Sequence, residues 1–257
     1  MQFKPQSISS DSVLSLSDDL NSIINKGESF LLKKHDFSTT VGILKGDNFG
    51  LPRDLLVKRF NYRGFFDFLL HKLFECRGKR LWVRNLRLYK KGLPVPEPIA
   101  YVKPSFRQKN AFFLSSVIED ADSLGSAYTK GIFRKDRDLL RELARTISEW
   151  HLKGAVHGDL KWPNILVQKN QRGYKFFLID LDQSRLYSTP SMKGIIKDLK
   201  RFYRFGLETG AEDWVEFEFF PAYVSLIPAE MKAGISFDRI KQGAMKDWIK
   251  KGRKRIS

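Results

Sequence analysis

"HGDLKWPNILV", residues 157–167, sets a histidine, an aspartate, a lysine and an asparagine ahead of a β-branched run. Such a stretch is either an ordinary turn entering a strand or a catalytic loop, and the sequence on either side bears on the choice. Before it, "DRDLLRELARTISEWHLKG" (136–154) carries Leu139, Leu140, Leu143, Ile147 and Trp150 on one helical face, with charges opposite. After it, "NILVQ" and "KFFLIDL" read as two short strands joined by a turn containing Asn170 and Gly173. A hairpin brings its two ends together. Asn164, entering the first strand, and Asp180, leaving the second, are therefore expected side by side, with Asp159 just outside.

An amide oxygen and a carboxylate are hard ligands suited to Mg²⁺, which keeps waters and takes further ligands from phosphates. Asp159 is then placed to orient a hydroxyl and accept its proton as it attacks a phosphoryl group. Lys161 follows two residues later and offsets developing charge. The same chemistry needs a second lysine to hold nucleotide phosphates. Lys58 in "DLLVKRF" fits, as a charged residue inside an otherwise apolar strand; the plainer reading is an edge-strand lysine that blunts aggregation.

The 257 residues are enough for one large domain or two lobes, and 42% hydrophobic content excludes a disordered chain. The net charge of +17 points to anionic partners and says nothing about fold. Cys76 is the sole cysteine, which excludes an intrachain disulfide and a multi-cysteine zinc site. No stretch approaches the roughly 18 apolar residues of a membrane span, and residues 1–20 lack a signal-peptide core. A cytosolic protein, or one bound to a membrane from the cytosolic side, is expected.

Residues 1–27 read as a polar leader with a short helix. Strands are expected over 29–34, 40–45 and 54–60. A helix follows over 63–91, interrupted at Gly78 and ended by Gly92, with a proline-rich extended segment and a buried strand over 111–119 beyond it. After Asp120 the pattern turns helical, with further helices over 193–209, 212–226 and 236–252. This gives an α+β chain of two lobes: a β-rich N-lobe with one main helix (28–120) and a mostly helical C-lobe (121–257) carrying the hairpin.

The Asp-x-Lys-x-x-Asn spacing after a histidine, then a hairpin and an Ile-Asp, resembles the protein-kinase-like fold. "HGDLKWPNILV" with "FFLIDLDQSR" resembles more closely the bacterial lipopolysaccharide kinase family, which phosphorylates Kdo or heptose sugars of the inner core. "LLVKRF" and "GLPVPEPIAYV" are also similar to that family, and the resemblance covers residues 28–187. It implies an ATP-dependent kinase with Mg²⁺, in which Asp159 is the catalytic base, Asn164 and Asp180 bind the metal, Lys58 anchors ATP and His157 holds the loop. It further implies that the Ile118–Ala121 stretch, Glu119 included, receives adenine through its backbone. Location is implied at the cytoplasmic face of the inner membrane of a Gram-negative bacterium.

The chain departs from the family pattern in three places. The loop that should cover the phosphates, "HDFSTT", has no glycine, which leaves the amides of Ser38, Thr39 and Thr40 for that task. The helix glutamate expected to pair with Lys58 is missing near Leu81, and Glu75 is its nearest substitute. Asp-Leu-Asp replaces Asp-Phe-Gly, so Asp182 either assists a second metal or hydrogen-bonds the turn. Trp162 has two readings, packing in the C-lobe core or lining the acceptor groove beside Asp159, and the groove is the expectation.

The basic residues of "SMKGIIKDLKRFYRF" and "KDWIKKGRKRIS" are either a solvated helix face or a patch for anionic lipid or a phosphorylated core sugar. Nucleic acid is a weaker candidate, because no recognised binding motif is present. Competing functions are a kinase-like transferase acting on protein Ser/Thr or a small molecule, and a pseudokinase serving as a lipid- or partner-binding module.

Overall fold

The structure is a computed structural model that describes residues 20–27, 29–61, 77–103, 110–132, 137–171 and 173–256. Glu75 and Cys76 lie outside the described residues. Two compact units form, Met1–Lys90 with Pro96–Ile118, and Lys91–Val95 with Glu119–Ser257.

The first unit is built on an antiparallel sheet. The alternating and β-branched segments form β1 (Phe30–His35), β2 (Thr39–Leu44), β3 (Leu55–Phe60), β4 (Pro98–Val102) and β5 (Ala111–Ser116), in the order β1-β2-β3-β5-β4. Successive side chains of a strand face opposite sides of the sheet. Leu55 and Val57 of β3 therefore join Leu44, Phe112 and Leu114 in one core. The short helix α1 (Leu20–Lys26) closes that core with Leu20 and Ile24, so this part of the expected polar leader is packed.

Helix α2 (Arg77–Lys90) buries Leu81, Asn85 and Leu88. Gly78 was expected to interrupt the helix. It is the second residue of the described helix and is buried, where a Cβ would meet Tyr101 at 3.0 Å and Ala111 at 3.2 Å, and the stretch before Arg77 that bears on an interruption lies outside the described residues. Gly92, with φ of 68°, follows the helix end as expected.

The second unit is mostly helical. Strand β6 (Ala121–Ser123) leads into helix α3 (Leu124–Thr129), whose N-cap Ser123 accepts the Ser126 N–H. Helix α4 (Arg137–Leu152) lays the expected apolar stripe, from Leu139 to Trp150, into the core. Strand β7 (Ala155–Val156) follows it and, after the hairpin, pairs antiparallel with β10 (Arg185–Leu186). The hairpin is β8 (Ile165–Asn170) and β9 (Gly173–Leu178), in register from Ile165 opposite Leu178 to Asn170 opposite Gly173.

Helix α5 (Met192–Thr209) comes next, capped at its N-terminus by Ser191 and ended by Gly210 with φ of 65°. Beyond it are α6 (Glu212–Trp214), a π-helical turn over Val215–Phe219, α7 (Phe220–Ser225), α8 (Ala229–Ala233) and α9 (Phe237–Ile256). The helix expected over 212–226 is thus present as a continuous right-handed helical stretch that widens to a π-helical turn in its middle, ahead of Pro221. No helix among the described residues is long and apolar enough to cross a membrane.

Candidate active site

The loop that follows β7 is ordered from within. Lys161 N–H donates to the Asp159 carbonyl at 2.8 Å, and Asn164 N–H donates to the Lys161 carbonyl at 2.9 Å. The Asn164 side-chain amide reaches back, its Nδ2 donating to the Asp159 carbonyl at 3.0 Å. The hairpin ladder then extends one step beyond its strands, because Ile179 N–H donates to the Asn164 carbonyl at 2.9 Å. Asp180 therefore sits one residue past Asn164's partner. It adopts a left-handed conformation, φ 58° and ψ 54°, which is uncommon for a non-glycine residue and concentrates at functional turns. Asp182 lies in the short 3₁₀ turn Leu181–Gln183 that follows.

The donor set at this edge fits a hard divalent cation. Nδ2 of Asn164 is committed to Asp159, so its remaining ligand atom is the amide oxygen, and Asp180 adds a carboxylate. Among the described residues, no group of three or more His, Cys, Asp or Glu forms a cage of its own.

His157 anchors the loop. It is fully buried, and Nε2 lies 2.9 Å from the Ile179 carbonyl. A carbonyl only accepts, so Nε2 carries the proton and Nδ1 receives the Asp159 N–H at 3.3 Å. Burial pushes the imidazole's pKa down, which keeps this neutral form in place.

Two residues outside the sequence motif complete the loop. Asp198 of α5 is fully buried and accepts the His157 N–H at 2.6 Å and the Gly158 N–H at 2.8 Å. The buried ring of His151 lies beside it, with Nε2 3.6 Å from its carboxylate. Gly158, with φ of 79°, has no room for a Cβ, which would sit 2.6 Å from the Gln183 carbonyl oxygen. Helix α5 comes close enough to deliver Asp198 because of Gly194, where a Cβ would lie 2.4 Å from Val156. Arg201, one turn after Asp198, places Nη1 2.5 Å from Asp159 Oδ1. Lys161 Nζ lies 3.2 Å from Asp159 Oδ2.

A signal for Asp198 exists in the sequence. Ile195, Leu199, Phe202 and Gly206 mark the buried face of α5, and Asp198 falls on that face. A carboxylate among buried apolar positions is costly unless it is hydrogen-bonded, and so announces a fixed partner. Arg201 has no comparable signal.

Trp162 is corrected from groove to core. It is completely buried, with its ring 5.2 Å from Tyr128, 5.6 Å from Phe202 and Phe205 and 5.5 Å from Trp214. Its indole N–H has no hydrogen-bond partner, so packing alone holds it there. Trp162→Phe is expected to cost about 1–3 kcal/mol in urea unfolding and to leave the acceptor KM unchanged. A raised acceptor KM at parental stability would return Trp162 to the groove.

In the first unit, Lys58 lies on the side of β3 opposite Leu55 and Val57 and is half-buried, with Nζ 5.9 Å from the Phe60 ring centre. Its neighbour Arg59 is tied by Nε to Asn61 at 3.0 Å, by Nη1 to Asn25 at 2.8 Å and by Nη2 to Thr40 at 3.2 Å.

The β1–β2 turn differs from its expected use. Asp36 Oδ1 accepts the Ser38 N–H at 2.8 Å and the Thr39 N–H at 2.7 Å, with the Ser38 hydroxyl also at 2.8 Å. Lys34 and these donors hold the Asp36 carboxyl well below the usual carboxylate range. Thr40 belongs to the β2 ladder, and its hydroxyl meets His35 and Arg59. Two of the three amides assigned to phosphate, those of Ser38 and Thr39, thus already hold an anion, and it comes from the chain itself. The Glu119 carbonyl accepts Nε2 of Gln168 at 2.8 Å.

A sequence profile of the lipopolysaccharide kinase (Kdo/WaaP) family matches residues 55–220, well over half of the chain. The chain belongs to this family. Among its relatives, proteins named 3-deoxy-D-manno-octulosonic acid kinase are 28% identical over 138 residues in Mannheimia succiniciproducens and 35% over 104 residues in Haemophilus influenzae strain PittEE. A third, from Xylella fastidiosa, is 32% identical over 152 residues. These matches take in 51%, 38% and 56% of this chain and 57%, 41% and 58% of the respective relatives, so the chain spans about half the length of the relatives it matches. A solved structure of WaaP in complex with acyl carrier protein superposes with a TM-score of 0.59 at 18% identity, covering 86% of this chain and 91% of that one. The fold is therefore protein-kinase-like.

Proposed function

We propose that this chain is an ATP- and Mg²⁺-dependent kinase that phosphorylates a sugar hydroxyl of the lipopolysaccharide inner core, with 3-deoxy-D-manno-octulosonic acid as the leading acceptor. The observation that carries the reading is the loop in which Asp159, Lys161 and Asn164 meet at the end of the hairpin leading to Asp180, within a chain of this family. The names of its relatives support the acceptor.

In this mechanism Asp159 accepts the proton of the acceptor hydroxyl as that oxygen bonds to the γ-phosphorus. The bond from phosphorus to the bridging oxygen breaks, and its electron pair leaves with ADP. Lys161 supplies positive charge beside the base as charge shifts between the oxygens. Lys58 would hold the nucleotide phosphates, and Asn164 and Asp180 would hold a metal ion. A Mg²⁺ ion bound there would withdraw charge from the phosphate oxygens. His157 and Asp198 keep the base at its station and carry no proton in the reaction.

The test is transfer of labelled γ-phosphate from ATP to purified lipopolysaccharide inner core, run against a generic protein acceptor. Label in the glycolipid is expected. Label in protein alone would remove the sugar-kinase reading.

A second reading, a kinase-like module without turnover, draws on the β1–β2 turn, where Asp36 occupies the amides of Ser38 and Thr39. It requires the absence of thermal stabilisation by millimolar Mg-ATP.

We also place the protein at the cytoplasmic face of the inner membrane. Its +17 charge and the basic helix α9, with Trp248 and Ile249 exposed, support contact with anionic lipid. Sedimentation with vesicles containing anionic lipid should weaken steeply as salt rises. Salt-independent sedimentation would oppose this placement.

A further inference from the structure

Asp159 is held on both oxygens. Its side chain is 13% exposed, with Arg201 on Oδ1 at 2.5 Å and Lys161 on Oδ2 at 3.2 Å. Each oxygen therefore already has a cation on it. An acceptor hydroxyl that approaches Oδ1 meets the Arg201 guanidinium beside it.

Lys161 belongs to the loop itself, and charge beside the transferred group is useful throughout the reaction. Arg201 is different. It projects from α5 one turn beyond Asp198, so the helix that fixes the loop also fixes the root of this side chain. Its outer part is 27% exposed, and only one of its five N–H donors is given to Asp159. Lys197, at i−4, lies on the same face of the helix and is exposed, while Arg204, at i+3, is paired with Glu208. A guanidinium with open donors, next to the reacting hydroxyl, matches the planar and bidentate geometry of a carboxylate. The acceptor in the relatives' names is a sugar acid, which carries one.

We propose that Arg201 is a specificity-determining residue that reads the carboxylate of the acceptor sugar, leaving Asp159 for the acceptor as it docks and so freeing Oδ1 to receive the hydroxyl proton. The proposal rests on the sugar-kinase reading above. It makes the base available only when a charged acceptor is present, and a neutral sugar or water leaves the Arg201–Asp159 pair closed. The transfer step is unchanged, with the proton on Asp159, the phosphoryl group on the acceptor oxygen and ADP as leaving group.

The experiment compares the inner-core 3-deoxy-octulosonic acid acceptor with the same glycolipid after reduction of its carboxyl to an alcohol. Wild type, Arg201→Gln and Arg201→Lys are each checked for parental melting and secondary structure. Wild type should prefer the acid in kcat/KM by on the order of 10- to 100-fold, the range of a charge-assisted hydrogen bond. Arg201→Gln should bring the ratio close to one by losing activity on the acid while holding or gaining it on the reduced acceptor, for which Asp159 is no longer paired with the guanidinium, and Arg201→Lys should recover part of the preference.

Equal losses of Arg201→Gln on both acceptors would overturn the proposal and make Arg201 a positioning residue for Asp159. A preserved preference would overturn it by placing carboxylate recognition elsewhere. A raised KM for ATP with both acceptors would overturn it by assigning the guanidinium to phosphate. Wild type that transfers equally well to both would overturn it and leave the sugar-kinase reading standing. Titration calorimetry with the sugar acid requires no turnover and separates the remaining case. If wild type transfers to no sugar, the sugar-kinase reading falls. Binding of the acid to wild type but not to Arg201→Gln would then still support the carboxylate site, and binding to neither would overturn that as well.

Discussion

Asp159→Asn is expected to bind Mg-ATP with parental affinity and to lose about 10²–10⁴-fold in kcat, the range supplied by a positioned general base. The substitution keeps the side chain's shape and leaves the Asp159 carbonyl, which accepts from Lys161 N–H and Asn164 Nδ2, in place. It removes the negative charge and with it the capacity to accept a proton. Arg201 and Lys161 lose their ion-pair partner, but their side chains are 27% and 36% exposed and remain hydrated. The effect on stability should therefore be small, within about 1 kcal/mol. Titration calorimetry with nucleotide and a steady-state transfer assay check the two halves. Parental turnover would eliminate Asp159 as the base.

Asp198→Ala is expected to cost about 3–5 kcal/mol in unfolding free energy. Its carboxylate accepts two backbone N–H groups, from His157 and Gly158, in a site with no access to solvent. Each hydrogen bond to a buried charge contributes roughly 1.5–3 kcal/mol, and both donors would be left unpaired. A chain of this size has about 5–15 kcal/mol in total, so the variant should lose a large share of its stability. Asp198→Asn retains one acceptor oxygen and turns an N–H toward the other donor, so an intermediate loss is expected. Urea titration of the parent and both variants measures the order. A loss below about 1 kcal/mol for alanine would mean that the loop amides find other partners, and Asp198 would no longer count as the tether of the loop.

The two predictions separate residues by how they are encoded. Asp159, Lys161, Asn164 and Asp180 lie within one hairpin and its lead-in, where short-range geometry governs. Alternation and turn residues set the register of Ile165 against Leu178, and that register alone brings Asn164 beside the residue preceding Asp180. The strands of the first unit and the helix over 137–152 are legible for the same reason, since a period of two or of 3.6 residues is a local property.

The contributions of Asp198 and Arg201 depend on a helix some forty residues away in sequence. They reach the loop only because Gly194 lets α5 approach Val156. Nothing local to "HGDLKWPNILV" encodes that approach.

Trp162 and the β1–β2 turn show the same division. Where the Trp162 side chain points is decided by an aromatic cluster drawn from α3, α5 and α6, which buries far more apolar surface than a groove position would. Asp36 captures the Ser38 and Thr39 amides because a carboxylate two or three residues back is always close to them, whereas a ligand must first arrive. The sequence by itself determined the hairpin and its register, which sets Asn164 beside Ile179, one residue before Asp180. Only the tertiary structure decided which groups hold Asp159 and which side of the loop Trp162 takes, because those outcomes follow from burial and from close packing between segments distant along the chain.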